Sequence, residues 1–236
     1  TVKITGKTTG GLKDSVTIKV VDKDGTVATQ KELDALLGNG VSLITVKTSE
    51  AVDFKIPEGN YSGTKLVVDA PKADVTNQGV FRSVDIKNIK PATWTELAIG
   101  NILNISAPGA NVVLGNGASA SINVQRGAGV LTIVNNGTLT GLTINTPANV
   151  ILSGIVPPAP VPVIANVQNA RLTSNIPLAL TSNQQITLVL QSGAEGTTVT
   201  APNSAAVPAI LGSIPVAVIV GGTSSNAEPT LPATGG

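Results

Sequence analysis

The sequence predicts an all-β chain organised as a parallel β-helix (β-solenoid), with a small cap of β-strands and one helix at its N-terminus. Composition is the first observation behind this prediction. The 236 residues are 42% hydrophobic but only 2% aromatic, and they include no cysteine, methionine or histidine. The hydrophobic residues are therefore almost entirely Val, Ile, Leu and Ala. Such residues suit a narrow solenoid lumen, whereas a globular core of this size uses aromatic side chains to fill its volume.

A repeat along the chain is the second observation. The phrase that begins Val68-Asp-Ala-Pro returns in altered form from Ile105 and Ile144, at separations of 37 and 39 residues, and weakly from Val199. These separations are close to multiples of a unit of roughly 19 residues that contains only short strands and turns. Ile122 and Leu142 likewise follow residue 102 at steps of 20 residues. A period of this kind predicts coils of two or three strands, stacked in parallel.

The patterns divide the chain into three parts. Residues 1–40 contain two alternating strands, at 1–5 and 15–21, and then a helix that starts at a capping box formed by Thr29 and Glu32. Residues 41–222 form the solenoid, with eight or nine coils, and the helix is well placed to cover its first coil. We predict a protruding loop at the proline-rich residues 155–163, with a hinge or a protein-docking strip as the alternative.

Charge is concentrated at one end of the chain. Of its 29 charged residues, only Arg126, Arg171, Glu195 and Glu228 lie beyond residue 100, and the net charge is +1. The later coils thus offer no pair of carboxylates for acid–base chemistry, and the absence of His and Cys excludes a catalytic triad and thiol catalysis. We expect no enzyme, no cofactor, no metal site and no nucleic-acid partner.

Two further expectations concern the cellular setting. The most apolar stretch, residues 208–222, is interrupted by Gly212 and Pro215, so the sequence predicts no membrane span. The first residue is not methionine, which indicates a processed protein or an excised fragment. Residues 223–236 are a polar linker followed by a terminal motif.

That motif consists of Leu231, Pro232, Ala233, Thr234 and Gly235. It resembles the LPxTG signal by which sortases join Gram-positive surface proteins to the cell wall. The resemblance implies cleavage between Thr234 and Gly235, with sortase and peptidoglycan as partners. A native signal and an added tag both fit these residues.

A second resemblance covers residues 30–150. The stretch from Lys65-Leu-Val-Val-Asp-Ala-Pro through Phe81, Trp94 and Gly100-Asn101 is similar in phrasing to β-helical modules in large surface proteins of Gram-positive anaerobes and spore-formers. The resemblance implies a β-helix outside the cell, at the cell surface or in the cell wall, and it brings no catalytic motif.

The leading functional hypothesis is a non-enzymatic structural surface protein that forms a stalk or a self-assembling fibre or lattice. Head-to-tail assembly would add the first strand, with Val2 and Ile4, to an open edge on a second copy. The apolar residues expected at that edge are Ile210, Ile214, Val216, Val218 and Val220.

The alternative is a surface adhesin that binds a polysaccharide or a host ligand. Aromatic faces stack on sugar rings, and Trp94 with Tyr61 is the candidate pair. A divergent carbohydrate enzyme ranks third. Asp69, Asp74 and Asp85 alternate with lysines, which is typical of a solvated face rather than of a catalytic site.

Overall fold

A computed structural model of the chain describes residues 2–7, 13–18, 24–89 and 93–227, with side chains described over 24–89 and 93–222. The chain forms a parallel β-solenoid of about ten turns, which confirms the predicted fold class. Two predicted elements of the N-terminal part are also present. Strands β1 (Val2–Lys7) and β2 (Lys13–Ile18) form an antiparallel hairpin with its own two-stranded sheet.

The remaining elements follow in chain order. They are β3 (Asp24–Val27), α1 (Gln30–Leu36), β4 (Leu43–Lys47), β5 (Phe54–Ala70), β6 (Val75–Ile89), β7 (Trp94–Glu96), β8 (Ile99–Ile105), β9 (Ala110–Leu114), β10 (Ser119–Val124), β11 (Val130–Asn135), β12 (Thr138–Ile144), β13 (Asn149–Gly154), β14 (Val161–Ala165), β15 (Arg171–Ser174), β16 (Leu178–Ser182), β17 (Thr187–Leu190), β18 (Thr198–Ala201), a 3₁₀ turn (Ser204–Ala206), β19 (Ala209–Leu211), β20 (Val216–Val220) and β21 (Thr223–Ala227).

Each turn of the solenoid carries two strands, so the strands stack into two parallel sheets. The first sheet runs through β3, β4, the second halves of β5 and β6, and then β8, β10, β12, β14, β16, β18 and β20. The second sheet runs through the first halves of β5 and β6, and then β7, β9, β11, β13, β15, β17 and β19. Since β3 already pairs with β4, the solenoid begins before residue 41.

The repeated phrase marks one column of inward side chains. Val68 pairs with Ile86, which pairs with Ile105, and the column continues through Val124 to Ile144. All five side chains are buried. The phrase therefore returns after every second turn, as its spacing of about two coils predicted.

Two of the repeat steps read from the sequence are out of register. Val199 pairs with Leu180, in a neighbouring column, so the weak fourth copy of the phrase does not continue the first three. Leu103, and not Ile102, lies beside Ile122, because the register shifts where β10 pairs with β8. Ile102 consequently points outward and is 43% exposed.

The predicted helix closes the N-terminal end of the lumen. The Thr29 hydroxyl accepts a hydrogen bond from the amide of Glu32, and the Glu32 carboxylate accepts from the amide of Thr29, which completes the capping box. Leu33 is fully buried in the core. Leu36 fills the space that Gly25 leaves in the first coil, where a Cβ would lie 2.2 Å from Leu36 Cδ1.

One side chain of this helix also occupies a strand edge. The Gln30 amide accepts from the Lys55 amide and donates to the Lys55 carbonyl oxygen, both at 2.8 Å. A side-chain amide thus takes the place that a neighbouring strand would hold beside the first half of β5. This contact reduces the tendency of an open edge to pair with another chain.

The C-terminal end of the solenoid is covered by the chain itself. The apolar, uncharged last coils predict burial against a tail, another domain or another subunit, and β21 is such a tail: it pairs with β20 antiparallel, from Val216 with Ala227 to Val220 with Thr223. The open edge that head-to-tail assembly would use is therefore occupied. The turn between β20 and β21 uses Gly221 and Gly222, with φ of 54° and 86°. Glycine enters this region without steric cost, which explains the Gly-Gly pair at a tight hairpin.

The proline-rich segment leaves the solenoid as predicted, but over a shorter range. Residues 155–160 lie outside the strands, with Ile155 and Val156 exposed. β14 resumes at Val161, and Pro162 lies within it with its side chain outward. Pro162 has no amide hydrogen to donate, and the pairing of β14 with β12 begins only at Val163.

Candidate functional site

Buried polar side chains interrupt the aliphatic core at one corner of the early turns. Asn77 and Glu96 are neighbours in the second sheet and are fully buried, and Asn101 is 1% exposed. Later turns also bury single polar side chains, among them Asn135, Ser174 and Ser182, but Glu96 is the only charged side chain among the buried residues that the structure describes. A buried charge is where functional or positioning residues are expected. The cluster is therefore the starting point for a candidate site.

Glu96 is the centre of the cluster. Its Oε1 accepts hydrogen bonds from Asn77 Nδ2 at 2.9 Å, from the Ala98 amide at 3.0 Å and from Asn101 Nδ2 at 3.1 Å. Its Oε2 accepts from Trp94 Nε1 and from Asn77 Nδ2, each at 3.1 Å. All of these donors are neutral. Burial raises the pKa of the Glu96 carboxyl above its usual value, and the hydrogen bonds to the charged form oppose that effect.

The two asparagines connect Glu96 to the backbone of Gly79. The Gly79 carbonyl oxygen accepts from Asn77 Nδ2 at 3.0 Å and from Asn101 Nδ2 at 2.9 Å, and the Gly79 amide donates to Asn77 Oδ1 at 3.0 Å. Asn101 Oδ1 also accepts from the amide of Phe81 at 2.9 Å. The segment around Gly79 is thus held from the inside by the buried cluster.

Tyr61 covers the same segment from the outside. A Cβ on Gly79 would lie 2.5 Å from Tyr61 Cε2, so the ring lies directly on the glycine backbone. The ring also packs against Phe81, with centroids 5.1 Å apart. Partial burial, followed by the negative charge of Asp34, raises the pKa of the Tyr61 hydroxyl. Gly79 permits this close approach together with Gly59, where a Cβ would lie 2.5 Å from the Tyr61 hydroxyl oxygen.

Two grooves flank the surface ridge formed by residues 57–63, which contains Tyr61. The first groove, of about 860 Å³, lies between the ridge and α1, and its polar lining includes Asp34, Lys55 and Gln78. The second groove, of about 700 Å³, lies on the other side and is lined by Glu58, Asn60 and Ser62 together with Leu97 and Ile99. Gln78 lines both grooves, so they adjoin.

The structure separates the two aromatic residues that the sequence suggested as a binding pair. Trp94 is fully buried and donates its indole N–H to Glu96, so neither face of its ring is available to a ligand in solution. Tyr61 remains half-buried beside the first groove. The prediction that Trp94 and Tyr61 form a pair of surface rings is therefore wrong for Trp94. Tyr61 is a surface ring, and Trp94 belongs to the buried cluster.

The residues expected at an assembly edge lie mostly in the core. Ile214, Val216 and Val218 are buried, while Ile210 and Val220 are partly buried against the core. Val2 and Ile4 belong to β1, where they pair with Ile18 and Val16. The terminal motif at residues 231–235 lies outside the described residues.

Sequence reasoning missed two polar ladders on the outer surface of the first sheet. In one, Asn123 Nδ2 donates to Asn104 Oδ1 and Asn104 Nδ2 donates to Asp85 Oδ1, both at 2.9 Å, and Asp85 forms a salt bridge of 2.6 Å with Lys65. The second ladder joins Asn145, Asn166 and Asn183. The sequence signal for the first ladder was a polar residue at every 19th position, from Asp85 to Asn104 and from Asn104 to Asn123.

No protein-family model matches the chain, and no curated protein or solved structure is significantly similar to it. Within the described ranges, no three His, Cys, Asp or Glu residues come together as a metal site would require. The described helices are too short to cross a bilayer.

Proposed function

We propose that this chain is a non-enzymatic structural protein of the cell surface whose solenoid acts as a stiff stalk. The observation that carries the proposal is the unbroken stacking of two sheets over about ten turns. In such an array every turn is hydrogen-bonded to the turn above and below, so bending requires many backbone bonds to distort together. Stacked strands about 4.8 Å apart give a rod of roughly 48 Å over ten turns.

The outer surface supports the same proposal. Beyond residue 100 the chain carries only Arg126, Arg171, Glu195 and Glu228 as charged residues. The later turns therefore expose amides, hydroxyls and small aliphatic groups, and they lack the charged clefts that attract ionic substrates. A spacer that holds other parts of a surface protein away from the wall needs a stable rod with such a surface, and it needs no binding cleft.

We rank the stalk ahead of a self-assembling fibre or lattice. Assembly through β20 would require β21 to leave the edge that it occupies, and assembly through β1 would compete with its pairing to β2. A fibre thus demands a strand exchange, whereas a stalk demands no rearrangement of the described strands.

The resemblance of residues 231–235 to a sortase signal supports an extracellular position attached to peptidoglycan. The test is incubation of the chain with a sortase and a triglycine nucleophile. We expect loss of the final two glycines and gain of triglycine by mass spectrometry, and no product from Thr234→Ala. If the chain is not modified, the proposed attachment to the cell wall is wrong. The stiffness of the stalk is tested separately.

Stiffness is tested by distances along one outward column. Thr45, Thr143 and Thr200 belong to the same column, five and then three turns apart. Because the chain has no cysteine, spin labels can be placed at Thr45→Cys with either Thr143→Cys or Thr200→Cys. We expect narrow distance distributions near 24 Å and 38 Å, which follow from about 4.8 Å per turn.

Broad distributions, or two distances that fail to scale with the number of turns, would rule out a stiff stalk. Sedimentation velocity over a hundredfold range of concentration separates the stalk from the fibre. A stalk stays monomeric, and a fibre grows with concentration.

A further inference from the structure

We propose that the ridge at residues 57–63 and its two grooves bind an uncharged glycan chain, with the Tyr61 ring as the stacking surface. This binding function goes beyond a stalk and does not depend on stiffness or wall attachment. At this place a surface aromatic ring, two adjoining grooves and a buried polar cluster meet.

The Tyr61 ring is held in place before any ligand arrives. Phe81 packs against it, and Gly79 lies so close below it that no side chain could fit between them. Gly79 is itself fixed by hydrogen bonds from Asn77 and Asn101, which share Glu96. A ring supported by a second layer of this kind loses little freedom on binding, which favours affinity.

The chemistry of the lining points to a polyol. The first groove presents Asp34, Gln78 and Thr76 around the tyrosine, and the second presents Glu58 and Asn60. Carboxylate and amide oxygens accept hydrogen bonds from sugar hydroxyls, and the amide N–H groups and hydroxyls can donate to sugar oxygens. Lys55 is the single cationic residue of the two linings, so an anionic polymer would meet no basic cluster.

The backbone around the ridge argues against an extended peptide as the ligand. A peptide that adds to a sheet needs an edge with free amide and carbonyl groups. On one side the ridge pairs with β6. On its other side Gln30 satisfies both backbone groups of Lys55, Pro57 has no amide hydrogen, and the Ser62 amide donates to Asn60 Oδ1, so few amides are left for an added strand. Recognition at the ridge is therefore left to side chains, as is usual for sugars. Because the two grooves meet at Gln78, a glycan that fills both must contain more than one sugar unit.

The experiment is affinity electrophoresis of the full chain in native gels that contain a neutral polysaccharide (laminarin, dextran, hydroxyethyl cellulose or glucomannan) or a charged one (heparin or polygalacturonate). We expect retardation by at least one neutral polysaccharide and by neither charged one. Tyr61→Ala should weaken the binding about tenfold, the loss typical of a central aromatic contact.

Three further variants keep the result interpretable. Tyr61→Leu keeps apolar bulk without the aromatic face and should lose binding like the alanine variant. Gly79→Ala keeps the ring but forces it away, because the new Cβ would lie 2.5 Å from Tyr61 Cε2, and it should also lose binding. Ile164→Ala changes an exposed apolar residue on a later turn of the first sheet and should bind as the unchanged chain does.

Retardation by none of the neutral polysaccharides would overturn the proposal. So would retardation that survives both Tyr61→Leu and Gly79→Ala, or retardation by the charged polymers alone. Circular dichroism melting curves of each variant separate lost binding from lost folding. The spin-label distances along the column of Thr45 do not involve the ridge. A chain that binds no glycan would therefore not contradict the proposal of a stiff stalk.

Discussion

Trp94 donates its indole N–H to Glu96 across 3.1 Å, and both side chains point into the lumen from the short strand β7. Residues two apart on a strand face the same side, so the geometry follows directly from the strand. The consequence is a buried acid whose hydrogen-bond partners are all neutral groups. This acid shares its inward column with Asn77, Leu114 and Asn135. It links the core to the surface ridge through Asn77, Asn101 and Gly79.

Glu96 should make stability depend on pH in a defined direction. Burial raises the pKa of its carboxyl above 4.5, so the folded chain binds this proton more tightly than the unfolded chain does. Its favourable contribution is therefore present below pH 4.5 and is lost as the pH rises through the raised pKa. Relative to Glu96→Gln, the unchanged chain should lose free energy of unfolding between pH 4 and pH 8.

The measurement is urea unfolding followed by circular dichroism at each pH for both chains. The difference between their free energies of unfolding at each pH removes the contributions of the other carboxyl groups, which the two chains share. A difference that grows in favour of the unchanged chain as the pH rises would mean that the hydrogen bonds outweigh burial and lower the pKa instead.

Features that repeat along the chain could be predicted from the sequence, whereas features that depend on strand register could not. The column from Val68 to Ile144 and the capping box at Thr29 are local or periodic patterns, and both lie where they were expected. The burial of Trp94 depends on its pairing with Val75 and Val112, which fixes the side of the sheet that it faces. A shift of one residue would have turned it outward, and one sequence does not reveal such a shift.

The same limitation applies to the end of the solenoid. Residues 223–227 are Thr, Ser, Ser, Asn and Ala, without alternating hydrophobic residues, so they resembled a linker. Their strand is defined by backbone pairing to β20 and by the glycine turn that precedes it. Of the candidate site, Tyr61 and Trp94 were anticipated, although Trp94 was expected at the surface. Asn77, Glu96 and Asn101 were not, because they are brought together only when β6, β7 and β8 stack.

The polar ladder on the first sheet should be sensitive to a single added charge. Asn104 donates to Asp85 and accepts from Asn123, so Asn104→Asp removes one donor and places a carboxylate beside another. We expect a loss of about 1 to 2 kcal/mol in the free energy of unfolding at pH 7.

Asn183→Asp is the matched control. Asn183 donates to the neutral Asn166 amide at 2.7 Å, so the new carboxylate meets no existing one. Thermal unfolding of both variants at low and high salt gives the comparison, because screening weakens repulsion between charges near the surface. Equal losses at the two sites, without dependence on salt, would mean that Asp85 and Asn104 are not neighbours.

Gly154 should be irreplaceable, for a steric and a conformational reason. Its φ is 137°, and a Cβ would lie 2.2 Å from the Asn135 carbonyl oxygen of the adjacent turn. Because the obstacle is backbone, Gly154→Ala should cost about 2 kcal/mol or more of the free energy of unfolding. Gly141, whose added Cβ would meet no atom within 4 Å, is the control, and its alanine variant should unfold near the unchanged midpoint. Urea midpoints that agree for both variants would contradict the described register of β11 and β13.

Strand β21 should decide whether the chain stays monomeric. It occupies the outer edge of β20, whose other edge pairs with β18. A chain that ends at Gly222 would therefore leave open those amide and carbonyl groups of Val216–Val220 that face β21. Open edges of apolar strands pair with other chains. We expect this truncated chain to associate as its concentration rises, in sedimentation velocity. A chain that ends at Ala227 keeps β21 and serves as the control, and it should remain monomeric over the same range.

If both truncated chains behave alike, β21 does not protect the edge. If the chain that ends at Ala227 also forms filaments, the fibre replaces the stalk as the better account of this protein.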